Sequence, residues 1–176
     1  MSRPGCRVIG VSGSKGKSTS VSVLAYILRE TGHKAALGGN IGRPMIELLD
    51  DDYEFVVEEF SSYQASDLTV SPQIAMFTNL YYVHTDWHRG HENYCRDKIH
   101  LIANQKPGDV YFANRRNPQL VEYTRPYAEN RRWYNEAEVF HAEDGVLYRG
   151  KEKLADIREL KLSGNCLLYT SPSPRD

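Results

Sequence analysis

Ten residues near the start of the chain, Gly10-Val11-Ser12-Gly13-Ser14-Lys15-Gly16-Lys17-Ser18-Thr19, place three glycines, two lysines and a Ser-Thr pair in one stretch. The apolar run Arg7-Val8-Ile9-Gly10-Val11 leads into it and reads as a short buried strand. A helical pattern leaves it, with Val21, Leu24, Ala25, Ile27 and Leu28 expected on one face. A strand, a glycine-rich turn and a helix N-terminus together cradle phosphate, because backbone N–H groups point at the anion and the helix dipole favours negative charge. Gly13, Ser14, Lys15, Gly16, Lys17, Ser18 and Thr19 are the expected cradle. Lys17 supplies a point charge for terminal phosphates, and Ser18 supplies a hydroxyl for a magnesium ion. The spacing follows GxxGxxGK[ST], not the strict GxxxxGK[ST], since five residues separate Gly10 from Gly16. A turn that merely joined strand to helix would have no use for both lysines and all three glycines. The stretch reads as a site for ATP or another nucleotide.

Further polar residues follow other apolar runs. Lys34-Ala35-Ala36-Leu37 is a second strand entering Gly38-Gly39-Asn40-Ile41-Gly42, and Phe55-Val56-Val57 is a third ending at Glu58-Glu59-Phe60-Ser61-Ser62-Tyr63-Gln64. Ile74-Ala75-Met76-Phe77 is a fourth, ending at Thr78-Asn79. The next segment, from Tyr81 through His84 to His91, is dense in groups that bind metal or move protons, and a helix from about Glu92 to Ala103 carries Tyr94, Lys98 and Ile102 on adjacent turns. Ligands of parallel sheets gather at the carboxyl ends of strands. The phosphate turn, Asn40, Glu59, Asn79 and His84 all fall there, which makes them one site.

The elements that position this site alternate as strand and helix. Thr31-Gly32 stops the first helix, Pro44 opens a short helix over Met45 to Leu49, and Asp50-Asp51-Asp52 reads as a solvated loop. Asp109-Val110-Tyr111-Phe112-Ala113 is a fifth strand, and Pro118 opens another short helix. The alternation predicts an α/β fold: a mostly parallel twisted sheet flanked by helices, with a P-loop. From Arg131, short alternating pieces at Trp133-Tyr134, Val139-Phe140-His141 and Val146-Leu147-Tyr148 predict a small β meander at the sheet edge, without chemistry of its own.

At 176 residues the chain is sized for one domain, and its 22 basic and 23 acidic residues nearly cancel, which points away from nucleic-acid and membrane partners. No apolar run approaches the ~18 residues of a membrane span. The segment before the first strand has no leader-like apolar region, and Cys6, Cys95 and Cys166 show no metal or disulfide spacing. A reducing cytoplasm is the expected setting.

Taken together the motifs from Arg7 to Gln105 resemble the central ATP-binding domain of the Mur ligases, which build the peptide stem of peptidoglycan. Gly38-Gly39-Asn40-Ile41-Gly42-Arg43-Pro44, Glu59-Phe60-Ser61-Ser62-Tyr63-Gln64 and Ala103-Asn104-Gln105 resemble the glutamate-adding branch. The resemblance implies ATP-dependent addition of glutamate to UDP-N-acetylmuramoyl-L-alanine through an acyl phosphate, by a monomer whose partners are small molecules. It implies that Lys17 holds the β- and γ-phosphates and that Ser18 and Glu59 hold one magnesium ion. His84 would hold a second together with Lys98, carbamylated so that it becomes an anionic ligand. Asn40 and Ser61 would position the nucleotide-sugar substrate and reacting phosphate, and Asn79 would brace the magnesium shell. Rival readings are another Mur ligase, a folylpolyglutamate synthase-type ligase, or a non-catalytic nucleotide-binding module; no NKxD signal supports a GTPase.

Against the family pattern, Val83 and Thr85 flank His84 where an acid and a leucine are common, and Asp86 either orients His84 or does not. Trp87 replaces the commoner arginine, as in a branch that adds L-glutamate, although D-glutamate is held ahead. His88 and His91 are expected at the surface, Tyr81, Tyr82 and Trp87 in packing, and Cys95 as a small buried hydrophobe. The resemblance implies that residues 1–164 are the middle domain, with 130–164 forming edge strands, and that UDP-binding and amino-acid-binding domains lie outside this sequence. Residues 165–176 resemble a translated sequencing adapter and are expected not to be native.

Overall fold

The computed structural model describes residues 5–48, 51–81, 87–156 and 158. His84 and its neighbours Tyr82, Val83, Thr85 and Asp86 lie outside the described residues, as do Leu49, Asp50 and the whole of 165–176.

Six strands form one parallel sheet in the order β2-β3-β1-β4-β5-β6: β1 (Arg7–Ser12), β2 (Ala35–Gly39), β3 (Phe55–Glu59), β4 (Ile74–Phe77), β5 (Val110–Asn114) and β6 (Arg131–Tyr134). The apolar runs are short and continuous because each inner strand is covered on both faces. From β1 the chain moves outward to β2, returns to β3, then crosses β1 to reach β4. Strand order therefore reverses at β1. The crevice this opens lies beyond the carboxyl end of β1, between β3 and β4, where such sheets bind ligands.

Helix α1 (Lys17–Glu30) covers one face, where Ile9, Val11 and Val57 pack with Val21 and Ala25. On the other face α2 (Ser62–Ser66), α3 (His91–Ala103) and α4 (Pro118–Tyr123) bury Phe60, Phe77, Leu80, Tyr94, Leu101, Tyr111 and Leu120. Asn117 caps α4 by accepting the Leu120 N–H at 3.0 Å. The expected short helix after Pro44 is a 3-10 turn, Met45–Leu48. Asp51 and Asp52 are not merely solvated: they pair with Arg43 and Lys34 at 2.8 and 3.1 Å. Among the described residues no helix is long and apolar enough to cross a membrane.

Two expectations need correction. Ile27 is 49% exposed, and Ser20 takes a place on the buried side of α1 instead. Val21, Leu24, Ala25 and Leu28 follow the i, i+3, i+4, i+7 stripe, and Ile27 falls off it. Likewise the meander is not at the edge of the main sheet as expected. Trp133 and Tyr134 belong to β6, the sixth parallel strand, and the antiparallel strands β7 (Phe140–Glu143), β8 (Val146–Arg149) and β9 (Glu152–Asp156) form a separate sheet. The β7–β8 turn has positive φ at both Asp144 and Gly145, the backbone that a two-residue antiparallel hairpin uses.

The helix assignment separates two substitutions. Val21→Ala is expected to lower unfolding free energy by about 1–3 kcal/mol, whereas Ile27→Gln is expected to change it by less than about 0.5 kcal/mol, both by urea denaturation.

Candidate functional site

The turn between β1 and α1 is gripped from β4. Thr78 Oγ1 donates to the Lys15 carbonyl at 2.6 Å, and the Asn79 side chain both accepts from the Lys15 N–H (2.9 Å) and donates to the Lys15 carbonyl (3.0 Å). The Ser14 N–H donates to the Asn79 carbonyl at 3.0 Å. This approach requires Gly13: with φ 147°, a Cβ there would lie 2.0 Å from Thr78 Oγ1. Tyr94 of α3 holds the turn from the other side, its hydroxyl 2.9 Å from Ser14 Oγ. Helix α1 begins at Gly16 with no side-chain cap and no acidic residue in its first turn, leaving that end electropositive. Lys17 folds back over the turn, its Nζ donating to the Ser14 carbonyl at 3.4 Å.

Alternation along β3 sends Val57 and Glu59 to the α1 face and Val56 and Glu58 to the other. Glu59 is 2% exposed. It accepts from Ser18 Oγ at 2.7 Å through Oε2 and from Asn40 Nδ2 at 3.1 Å through Oε1. Its carbonyl accepts from the Asn40 N–H at 3.0 Å. Gly39 makes that approach possible, since a Cβ on it would sit 2.4 Å from the Glu59 carbonyl oxygen. Ser18, Glu59 and Asn40 are thus brought together at the mouth of the turn.

Lys98 projects from α3 into the interior and is also 2% exposed. Its ammonium stands 5.0 Å from the Tyr94 ring centroid. Burial, reinforced by Lys17, lowers its pKa to about 7 against the opposing pull of Cys95 and Glu59. Ser61 is the N-cap of α2: its hydroxyl accepts from the Gln64 N–H at 3.2 Å while the Gln64 side chain accepts from the Ser61 N–H at 2.9 Å. Both ends of the Asn79 amide are engaged with the Lys15 backbone and brace the turn. Among the described residues no three His, Cys, Asp or Glu side chains cluster as a metal cage.

Other residues near the site were not expected there. His88 is buried rather than at the surface, bonded to Asp97 and Ser62. Trp87 is 58% exposed, although its ring meets Tyr63 and His88 edge-on. Tyr81 donates its N–H to Ser14 Oγ at 2.8 Å, and the Tyr134 hydroxyl reaches the carbonyls of Phe77 and Thr78 at 3.0 and 2.9 Å. Thr78 has a legible signal, standing directly after a strand beside Asn79. Tyr134 has none, since it reaches its partners across more than fifty residues of sequence.

A parallel sheet whose order reverses at a glycine-rich phosphate turn defines an α/β P-loop domain. A family profile described as the Mur ligase middle domain matches residues 11–156. The chain belongs to the Mur ligase family, as its middle domain. It is 37% identical over 159 residues to the UDP-N-acetylmuramoyl-L-alanine–L-glutamate ligase of Xylella fastidiosa, covering 88% of this chain and 34% of that protein. The ligase of the same name from Micromonospora sp. is 46% identical over 98 residues, 56% of this chain and 21% of that protein. The chain spans about a third of the length of the curated relatives that it matches along most of its length. In fold it is similar to MurF from Acinetobacter baumannii (TM-score 0.68, 18% identity, 86% of this chain and 37% of that one). It is also similar to E. coli FolC in complex with DHPP and ADP (TM-score 0.61, 15% identity, 85% and 48%).

Glu58, beside the site but on the opposite face of β3, is buried, and its Oε2 has no hydrogen-bond partner among the described residues. Burial raises its pKa from 4.5 to about 7. The folded chain therefore keeps a proton that the unfolded chain releases, and stability falls as pH rises from about 4.5 through 7, then stays low. Glu58→Gln is expected to stabilise the fold by roughly 1–3 kcal/mol at about pH 8 and to give no gain at about pH 4, in urea titrations at both pH values.

Proposed function

We propose that this chain is the ATP-binding middle domain of a ligase that joins L-glutamate to UDP-N-acetylmuramoyl-L-alanine. The observation that carries the reading is the convergence of Ser18 Oγ and Glu59 Oε2 at 2.7 Å beside Lys17 and the uncapped start of α1. The names of the relatives support the substrate. They also move the amino acid from D-glutamate, the sequence expectation, to L-glutamate, in keeping with Trp87. Residues 1–164 would form the middle domain, with the nucleotide-sugar and amino-acid domains supplied by the remaining two thirds of a ligase of the relatives' length.

The reaction class is activation of the alanyl carboxylate by the γ-phosphate, followed by attack of the glutamate amine on the acyl phosphate. The backbone N–H groups from Gly13 to Thr19 would bind and orient the phosphates, and Lys17 would neutralise charge that builds on the transferring group. Asn40 and Ser61 would place the nucleotide-sugar substrate, with Asn40 held against Glu59 for that purpose. The Ser18 hydroxyl and Glu59 carboxylate are the hard oxygen donors that magnesium takes, so the residues present fit that ion. His84 and Lys98 would complete a second site. A pKa of about 7 leaves much of Lys98 as a neutral amine at neutral pH, able to attack carbon dioxide, lose a proton and become an anionic carbamate. Bound magnesium would supply charge neutralisation on the phosphate oxygens.

The test is phosphate release by the full-length ligase with ATP, UDP-N-acetylmuramoyl-L-alanine and either glutamate enantiomer. L-glutamate is expected to support turnover, and Lys17→Ala and Glu59→Ala are each expected to lower kcat/KM by about 100- to 1,000-fold. Turnover with D-glutamate alone, or full activity in both variants, would overturn the reading.

A further inference from the structure

Ser62, His88 and Asp97 form a linear chain of polar groups inside the domain. His88 Nδ1 lies 2.5 Å from Asp97 Oδ2, and its Nε2 lies 2.9 Å from Ser62 Oγ. An ionised carboxylate only accepts, so Asp97 fixes the hydrogen on Nδ1 and turns Nε2 toward the Ser62 hydroxyl.

Hydroxyl, imidazole and carboxylate in this order also describe an activated nucleophile. Burial excludes that use. Ser62 is 5% exposed and the His88 side chain is fully buried. Tyr63 stacks over the imidazole at 5.3 Å, and Trp87 and Tyr94 meet it edge-on at 4.6 and 5.3 Å. No reacting carbonyl can reach the hydroxyl. The chain of polar groups acts on the protein itself.

What it joins is specific. Ser62 opens α2, three residues past Glu59, whereas Asp97 adjoins Lys98 on α3. Tyr94, one turn before Lys98, touches both the imidazole and Ser14 of the phosphate turn. Tyr94 and Lys98 stand one turn apart on α3, so a small slip of the helix would carry both together away from Ser14 and the start of α2. Apolar packing by Ile99, Leu101 and Ile102 holds the helix to the sheet but is tolerant of small shifts. Two directed hydrogen bonds are not.

We propose that His88 is a positioning residue: by bridging Ser62 and Asp97 it fixes α3 against the start of α2, beyond the end of β3, and so sets where Lys98 stands in the interior. The functional consequence rests on the reading of Lys98 and Glu59 as members of the nucleotide site, but the placement itself is measurable without it.

The experiment is acetylation of the full 176-residue chain with N-hydroxysuccinimidyl acetate, followed by peptide mass mapping. His88→Ala and Ser62→Ala are each expected to raise the labelling rate of Lys98 by about tenfold while Lys34 and Lys106 stay unchanged. His88→Asn, whose amide nitrogen takes the place of Nδ1 and keeps the bond to Asp97, is expected to recover part of the protection. Leu120→Ala, a core truncation under α4, is expected to leave Lys98 protected, which separates positioning from general loosening. Ser62→Ala removes only one oxygen and serves where the larger change prevents folding. In the full-length ligase His88→Ala is expected to lower kcat by about 10- to 100-fold with KM for ATP nearly unchanged. Unchanged Lys98 labelling in folded His88→Ala and Ser62→Ala, or equal exposure in Leu120→Ala, would overturn the proposal. A wild-type enzyme without ligation would instead overturn the functional reading, and the labelling would still decide the role of His88.

Discussion

Beyond the carboxyl ends of β1 and β4 the chain comes so close that Gly13 has space for a hydrogen and nothing larger. The rest of the site follows from that contact. It lets Thr78 and Asn79 take hold of Lys15 from the side, which fixes the path of the turn into α1 and the direction of its first N–H groups. The sheet order matters for the same reason. Only a strand flanked by both β3 and β4 can receive an acid from one neighbour and a grip from the other. Glu59 and Asn79 are those two contributions.

Burying charge is costly unless it is paired or neutralised. Here one carboxylate, Glu59, is buried with hydrogen bonds from Ser18 and Asn40, and one lysine, Lys98, is buried under the influence of Lys17. Glu59 is satisfied by donors. Lys98 yields by losing affinity for its proton. The same interior that would make a fixed cation expensive makes a neutral amine stable, and a neutral amine is a nucleophile. Glu58 on the other face shows the opposite response, a carboxyl that retains its proton, because burial disfavours its charge and its Oε2 has no hydrogen-bond partner among the described residues.

Much of this was legible in the chain. The glycine and lysine spacing marked the turn, and the apolar runs marked five of the six parallel strands. Glu59 and Asn79 could be assigned to one site because both follow strands. Legibility stopped where side chains act at a distance. The burial of His88 depends on Asp97 and on Ser62, twenty-six positions away, and a histidine in a polar stretch looks solvated until those partners are folded against it. The engagement of Asn79 with Lys15 was hidden for the same reason. Ile27 is apolar but lies off the helical stripe, so its side-chain type alone does not place it. Trp133 and Tyr134 resemble in pattern the short strands after them, and their parallel pairing with β5 is a property of the whole sheet.

Tyr134 gives the turn a further property. Its hydroxyl bonds to the carbonyls of Phe77 and Thr78, tying the edge of the sheet to the segment that grips Lys15. The loop is therefore ordered when the domain folds, before any anion arrives. An anion binding there would meet a shape already made and would cost little conformational entropy at the moment of binding. Order at the centre of the sheet thus draws on a tyrosine of its outermost strand.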